Sequence, residues 1–110
     1  MTILDLEGKE SDEIVFETFQ LNDLQREIFR EIRDDQMTVK QIKERVDRSR
    51  STVQRALQEM LDKDLILREG KTNKTVYYVY TTLPWSDIKE LTRQTITEWY
   101  DEVDQKLSQS

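Results

Sequence analysis

Arginine, glutamine and hydroxyl side chains crowd into one short stretch of this chain, where Arg48, Arg50, Ser51, Thr52, Gln54 and Arg55 fall within eight residues. These side-chain types read base edges: arginine pairs with guanine, glutamine with adenine, and serine or threonine with either. Catalysis is poorly supplied by comparison. There is no histidine, no cysteine and only two glycines in 110 residues. No acid, base and nucleophile set, thiol chemistry or usual zinc or copper site can be assembled from such a chain. Carboxylates are plentiful, but no spaced Asp/Asn loop suggests a site for a hard cation. The sequence names no catalytic residue, no cofactor and no metal ligand, and the expected class is not an enzyme.

The elements that must carry these residues are legible around them. Residues 38–61 read TVKQIKERVDRSRSTVQRALQEML. Val39, Ile42 and Val46 fall on one helical face, and Val53, Ala56, Leu57, Met60 and Leu61 form an apolar stripe on a second helix. At about 100° per residue, the face opposite that stripe centres on Ser51, Arg55, Gln58 and Asp62, with Thr52 and Gln54 beside them. Thr38 and Gln41 have capping-box spacing, and Ser49 can cap the second helix with Thr52 at its third position. Residues 47–49 make a turn of three residues. This is the layout of a helix-turn-helix that reads double-stranded DNA, with Arg48 and Arg50 placed for phosphates and Ser51, Thr52, Gln54 and Arg55 for bases. The rival reading is an ordinary helical corner with solvated arginines.

Charge follows the same division. The formal net charge is −6, yet residues 40–74 hold ten Lys or Arg against six Asp or Glu, leaving seven against seventeen elsewhere. A basic block between acidic ends puts positive potential where the motif lies, and local field steers encounter with DNA. An acidic exterior also suits a salt-rich cell. No apolar run approaches the ~18 residues of a membrane span, and MTILDLEGKE lacks the order of a signal peptide. A cytoplasmic protein with no membrane partner is expected.

Along the chain, residues 1–12 read as a flexible acidic tail. Ile14, Val15, Phe16, Phe19 and Leu21 form a short apolar segment, either an extended strand or a helical turn. Asn22 can cap a helix over 23–33, with Gln25 at the capping-box position and Leu24, Ile28, Phe29 and Ile32 buried. Residues 65–68 and 75–82 read as strands around the turn EGKTNK, a hairpin with a basic tip. Three helices and a basic hairpin predict a mainly α, α+β winged helix-turn-helix over 13–82. Arg68, Lys71, Asn73 and Lys74 are its wing candidates for backbone or minor-groove contact; the bland reading is a solvated hairpin that closes the core.

Pro84 opens a last helix over 83–110, consistent with proline at a first helical position. Trp85, Ile88, Leu91, Thr92, Thr95, Ile96, Trp99 and Val103 line one side of it. Trp85, Ile88, Leu91, Thr95, Trp99 and Val103 are the candidate interface of a homodimer, because a stripe with two tryptophans is costly to expose. Folding back on its own domain is the alternative.

With these elements in order, the chain resembles the short TrmB-like winged-helix transcription regulators of archaea, over residues 14–107. FQLNDLQREIFREI, VDRSRSTVQRALQEMLDKDLILRE and YYVYTTLPWSDIKELTRQTITEWYDEV carry the resemblance. It implies a dimer on a pseudopalindromic operator, each recognition helix entering one of two successive major grooves. Repression by occupancy is the default for a small dimer. Longer members carry a C-terminal sugar-binding domain that this chain is expected to lack, so sugar sensing is not carried over. The wing reads TNKT where many relatives have a glycine-rich turn. The other class is a winged helix used for protein interaction in a transcription assembly. A third reading lodges a small apolar effector near Trp85, Tyr78 and Trp99, against the simpler role of those rings as core or interface; no effector is named.

Overall fold

The computed structural model describes residues 11–33 and 35–109. Their elements run α1 (Ser11–Thr18), α2 (Asp23–Arg33), α3 (Val39–Val46), α4 (Arg50–Asp62), β1 (Ile66–Asn73), β2 (Thr75–Thr82) and α5 (Trp85–Ser108). Residues 21–83 form one unit, and the described parts of 1–20 and 84–110 form another.

In the central unit each helix starts on a side-chain cap. Asn22 Oδ1 accepts the Gln25 N–H at 2.8 Å, while the Asn22 N–H donates to Gln25 Oε1 at 3.0 Å. Thr38 and Gln41 repeat this reciprocal box at α3. Ser49 Oγ accepts the Thr52 N–H at 3.3 Å to start α4. These contacts satisfy amide groups that no helix can pair internally. α2 packs against α3, α4 and β2, and α4 packs against α3 and β1. Ile28, Phe29, Ile32, Ile42, Val53, Met60 and Leu65 are fully buried there, each stabilising the fold by about 1.5–3 kcal/mol before entropic costs. Leu24, expected in this core, is only half-buried, and Gln25 is buried in its stead.

Among the described residues the left-handed turns are made without glycine. Asp47 (φ 52°) ends α3, and Asp64 (φ 62°) follows α4. Short carboxylate side chains tolerate this region better than most. At the end of α4 the Leu65 N–H donates to Met60 O at 3.2 Å and the Asp64 N–H to Leu61 O at 3.0 Å. That is a Schellman motif, and its two apolar partners, Met60 and Leu65, are both buried.

The hairpin is longer than expected. β1 was expected over 65–68 but runs to Asn73, because the antiparallel ladder continues from Ile66↔Thr82 to Asn73↔Thr75. Lys74 alone lies between that last pair, at φ 65°. Met37 adds an antiparallel bridge to Tyr80, with mutual N–H to carbonyl bonds of 3.0 and 2.8 Å. Three helices and a hairpin extending ~26 Å from the core are the winged helix-turn-helix that the sequence predicts.

In the second unit, the apolar segment at Ile14 is helical: α1 begins at Ser11 with Asp12 and Glu13 in its first turn. The acidic tail expected over 1–12 lies outside the described residues as far as residue 10. α1 packs on α5, whose 24 residues span ~36 Å. Pro84 takes the N-cap position, one residue before the place expected for it. Only Ile88 and Thr92 of α5 are buried. Among the described residues no helix is long and apolar enough to cross a membrane.

Candidate nucleic-acid interface

α4 divides along its length into a buried and an exposed face. Val53, Ala56, Leu57 and Met60 face the core, while Arg50, Ser51, Thr52, Gln54, Arg55, Gln58 and Glu59 are exposed. The turn before it, three residues with Asp47 left-handed, sets the N-terminal end of α4 outward.

The exposed side chains are not equally available. Arg50 and Arg55 have no ion-pair or hydrogen-bond partner among the described residues, so both guanidinium groups are free. Arg48 makes one long bond, from Nη1 to Asp47 O at 3.4 Å. Ser51 and Thr52 belong to a hydroxyl cluster around the cap. Ser49 Oγ lies 2.8 Å from Thr52 Oγ1, to which it donates, and 3.3 Å from Ser51 Oγ. Ser49 has one hydroxyl proton, which leaves Ser51 to donate inward and the Thr52 proton free to point outward. Gln58, which shares the outer face, is tied back by its Nε2 donating to Asp62 Oδ1 at 2.9 Å.

The four wing candidates separate in the same way. Arg68 lies over the Tyr78 ring, 4.7 Å from its centroid. That ring is diagonal to Arg68 across the ladder and packs beside Gly70, where an added Cβ would meet it at 3.6 Å. Lys71 pairs with Glu69 at 3.1 Å. Asn73 and Lys74 are exposed at the tip. A half-exposed pair such as Lys71–Glu69 yields readily to a stronger anion, because its net worth is about 1 kcal/mol or less.

Lys40 and Lys43 were missed by the sequence reading. Both are exposed on α3, Lys40 away from Val39, Ile42 and Val46 and Lys43 at the edge of that stripe. The first helix of such a motif crosses the nucleic-acid backbone, and two lysines outside the apolar stripe of that helix were the signal.

On α5, Leu91, Thr95 and Val103 are half-buried and Trp85 likewise. Trp99 is 49% exposed, and Tyr100 and Leu107 are 63% and 69% exposed. Ile88 requires a correction as an interface residue. It has no exposed surface in the single chain, so it is core and cannot meet a second copy. Thr92 and Thr95 donate their hydroxyls to Ile88 O at 2.7 Å and Leu91 O at 2.8 Å.

Three comparisons bear on this geometry. The family model "Sugar-specific transcriptional regulator TrmB" matches residues 19–86. Uncharacterized protein MJ1503 of Methanocaldococcus jannaschii is 38% identical over 63 residues, 56% of this chain and 48% of that protein. MJ1082 of the same organism is 32% identical over 72 residues, 64% of this chain and 60% of its own length. The chain thus spans about half the length of the curated relatives it matches. Among solved structures, a possible transcriptional regulator from Methanosarcina mazei Go1 superposes with a TM-score of 0.76 at 15% identity, covering 92% of this chain and 88% of that one. The S. aureus MepR–DNA complex gives a TM-score of 0.60 at 20% identity, covering 89% and 79%. These two likenesses are of fold.

Proposed function

Because the chain belongs to the TrmB family of sugar-specific transcriptional regulators, we propose that it is a DNA-binding regulator acting as a homodimer on a pseudopalindromic operator, as a repressor by occupancy. A member of a regulator family is not an enzyme. The observation that carries the DNA reading is the outward face of α4, where Arg50 and Arg55 stand unpaired beside Ser51, Thr52 and Gln54. Donor-rich side chains of this kind match the base edges of a major groove, and unpaired guanidinium groups cost nothing to redirect. Arg48, Arg50, Lys40, Lys43 and Lys74 take the phosphates, where they set register without reading sequence.

The homodimer rests on α5. Leu91, Thr95, Trp99 and Val103 follow one another at intervals of four, the ridge by which two helices interdigitate. Trp99 at half exposure supplies the large apolar surface that a second copy would cover. The sugar in the family's description is not carried over to this chain.

The test is retention of a fragment of the protein's own upstream region against scrambled DNA, through a salt series reaching molar potassium chloride. Two protected half-sites separated by about one helical turn are expected. Arg55→Ala should cost about 1–3 kcal/mol and relax preference at one base position, while Lys74→Ala should weaken all sequences alike. Equal and negligible losses would move the assignment to a protein-interaction module in a transcription assembly. Leu67, Val76, Tyr77 and Tyr78, all exposed on the hairpin, are the observation favouring that second reading.

A further inference from the structure

Gln25 is 1% exposed, and both ends of its amide are used. Its Oε1 accepts the Asn22 N–H at the start of α2, and its Nε2 donates to Glu59 Oε2 on α4 at 2.7 Å. A buried amide giving a short bond to a carboxylate is a strong, directional contact. The choice of partner matters for DNA. Glu59 follows Arg55 by four residues on α4, the spacing at which opposite charges meet across one helical turn. Yet Arg55 has no partner among the described residues. Opposite charges close in sequence pair at some places in the chain, as Arg93 does with Glu90 at 3.6 Å and Lys71 with Glu69 at 3.1 Å, and not at Lys40 and Glu44. Glu59 differs from those two paired carboxylates in accepting the bond from Gln25.

We propose that Gln25 is a positioning residue for DNA recognition: by holding the Glu59 carboxylate against α2, it keeps Glu59 from neutralising Arg55. The Arg55 guanidinium is then free to meet a base. The capping box of α2 therefore has a second use, since the side chain that closes it also clears the reading face of α4. This role rests on the DNA-binding reading above.

A double-mutant cycle on the retained upstream fragment at low salt tests it. Gln25→Met keeps volume and removes the donor; operator binding should weaken about twofold, the effect of one i,i+4 pair competing for Arg55. Adding Glu59→Gln to that variant should recover about the same factor, while Glu59→Gln alone should change binding far less. An equal gain from Glu59→Gln in both backgrounds would mean a general charge effect and would overturn the proposal. Gln25→Glu keeps the acceptor for Asn22 and loses the donor, and serves if the methionine variant does not fold. The Arg55 Nε–Hε resonance gives a reading without DNA. It should respond to Glu59→Gln only when Gln25 is replaced; the same response in the wild-type background would overturn the capture of Glu59. That response intact, with no sequence-selective binding by the wild type, would sink the DNA reading and leave the capture standing.

Discussion

The helices of residues 21–83 bury their apolar faces within a single copy, whereas α5 does not. In the first, Ile28, Phe29, Ile32, Ile42, Val53 and Met60 have no exposed surface. In the second, a helix of 24 residues buries only Ile88 and Thr92 and leaves Trp99, Tyr100 and Leu107 in solvent. One set of helices has its apolar faces covered, and the other helix leaves large apolar side chains in solvent. Stability of the residue 21–83 unit and any self-association through α5 should therefore respond to different substitutions.

The largest effect should come from the closed core. Phe29→Ala should cost about 3–5 kcal/mol by cavity formation, read as a lower urea midpoint for the residue 21–83 unit, with no change in the α5 surface. A loss under 1 kcal/mol would mean that this core is not what holds the head together. Trp99→Asp should act the opposite way. It should weaken self-association at least tenfold, about 1.4 kcal/mol or more, while barely moving the urea transition of the monomer; sedimentation equilibrium gives both masses. A wild-type chain that sediments as a monomer at high concentration would remove the contrast altogether.

Thr38→Ala tests a local contact inside the closed unit. Losing the reciprocal box with Gln41 should cost about 1 kcal/mol, with the DNA contacts of α4 unchanged once folding is complete. The smallest effect should be a gain. Lys74 sits at φ 65° in the hairpin turn, where a lysine is strained and glycine is not. Lys74→Gly should stabilise by about 0.5 kcal/mol after the extra entropy of glycine is counted, seen as a small rise in thermal midpoint. A fall would show that the Lys74 side chain packs in a way that outweighs its backbone strain.

Much of this molecule was legible from residue spacing. The apolar repeats of α3 and α4, the caps at Asn22, Thr38 and Ser49, and the three-residue turn all appear where local pattern predicts them. The second wing strand did too, because β-branched and aromatic side chains crowd residues 75–82. The misses share a cause. β1 was read short because Glu69, Gly70 and Lys71 look like turn residues, whereas each is paired across a ladder already closed at Lys74. Ile88 was read as interface because periodicity says which face of a helix is apolar and not what covers it. The six recognition-helix candidates look equivalent as letters, yet Ser51 and Thr52 share a hydroxyl cluster with Ser49 while Arg50 and Arg55 stand free.

The sequence by itself determined whatever depends on neighbours within about one or two helical turns: element type, caps, the turn of the motif and which faces are apolar. The tertiary structure alone decided which of those faces is already covered and which polar groups are already engaged. Gln25 and Glu59 are 34 residues apart, and no local pattern relates them; their bond exists because α2 and α4 pack together. Hydrogen-bond partners of that kind are chosen by packing, and through them the fold determines which of its charges are left to act.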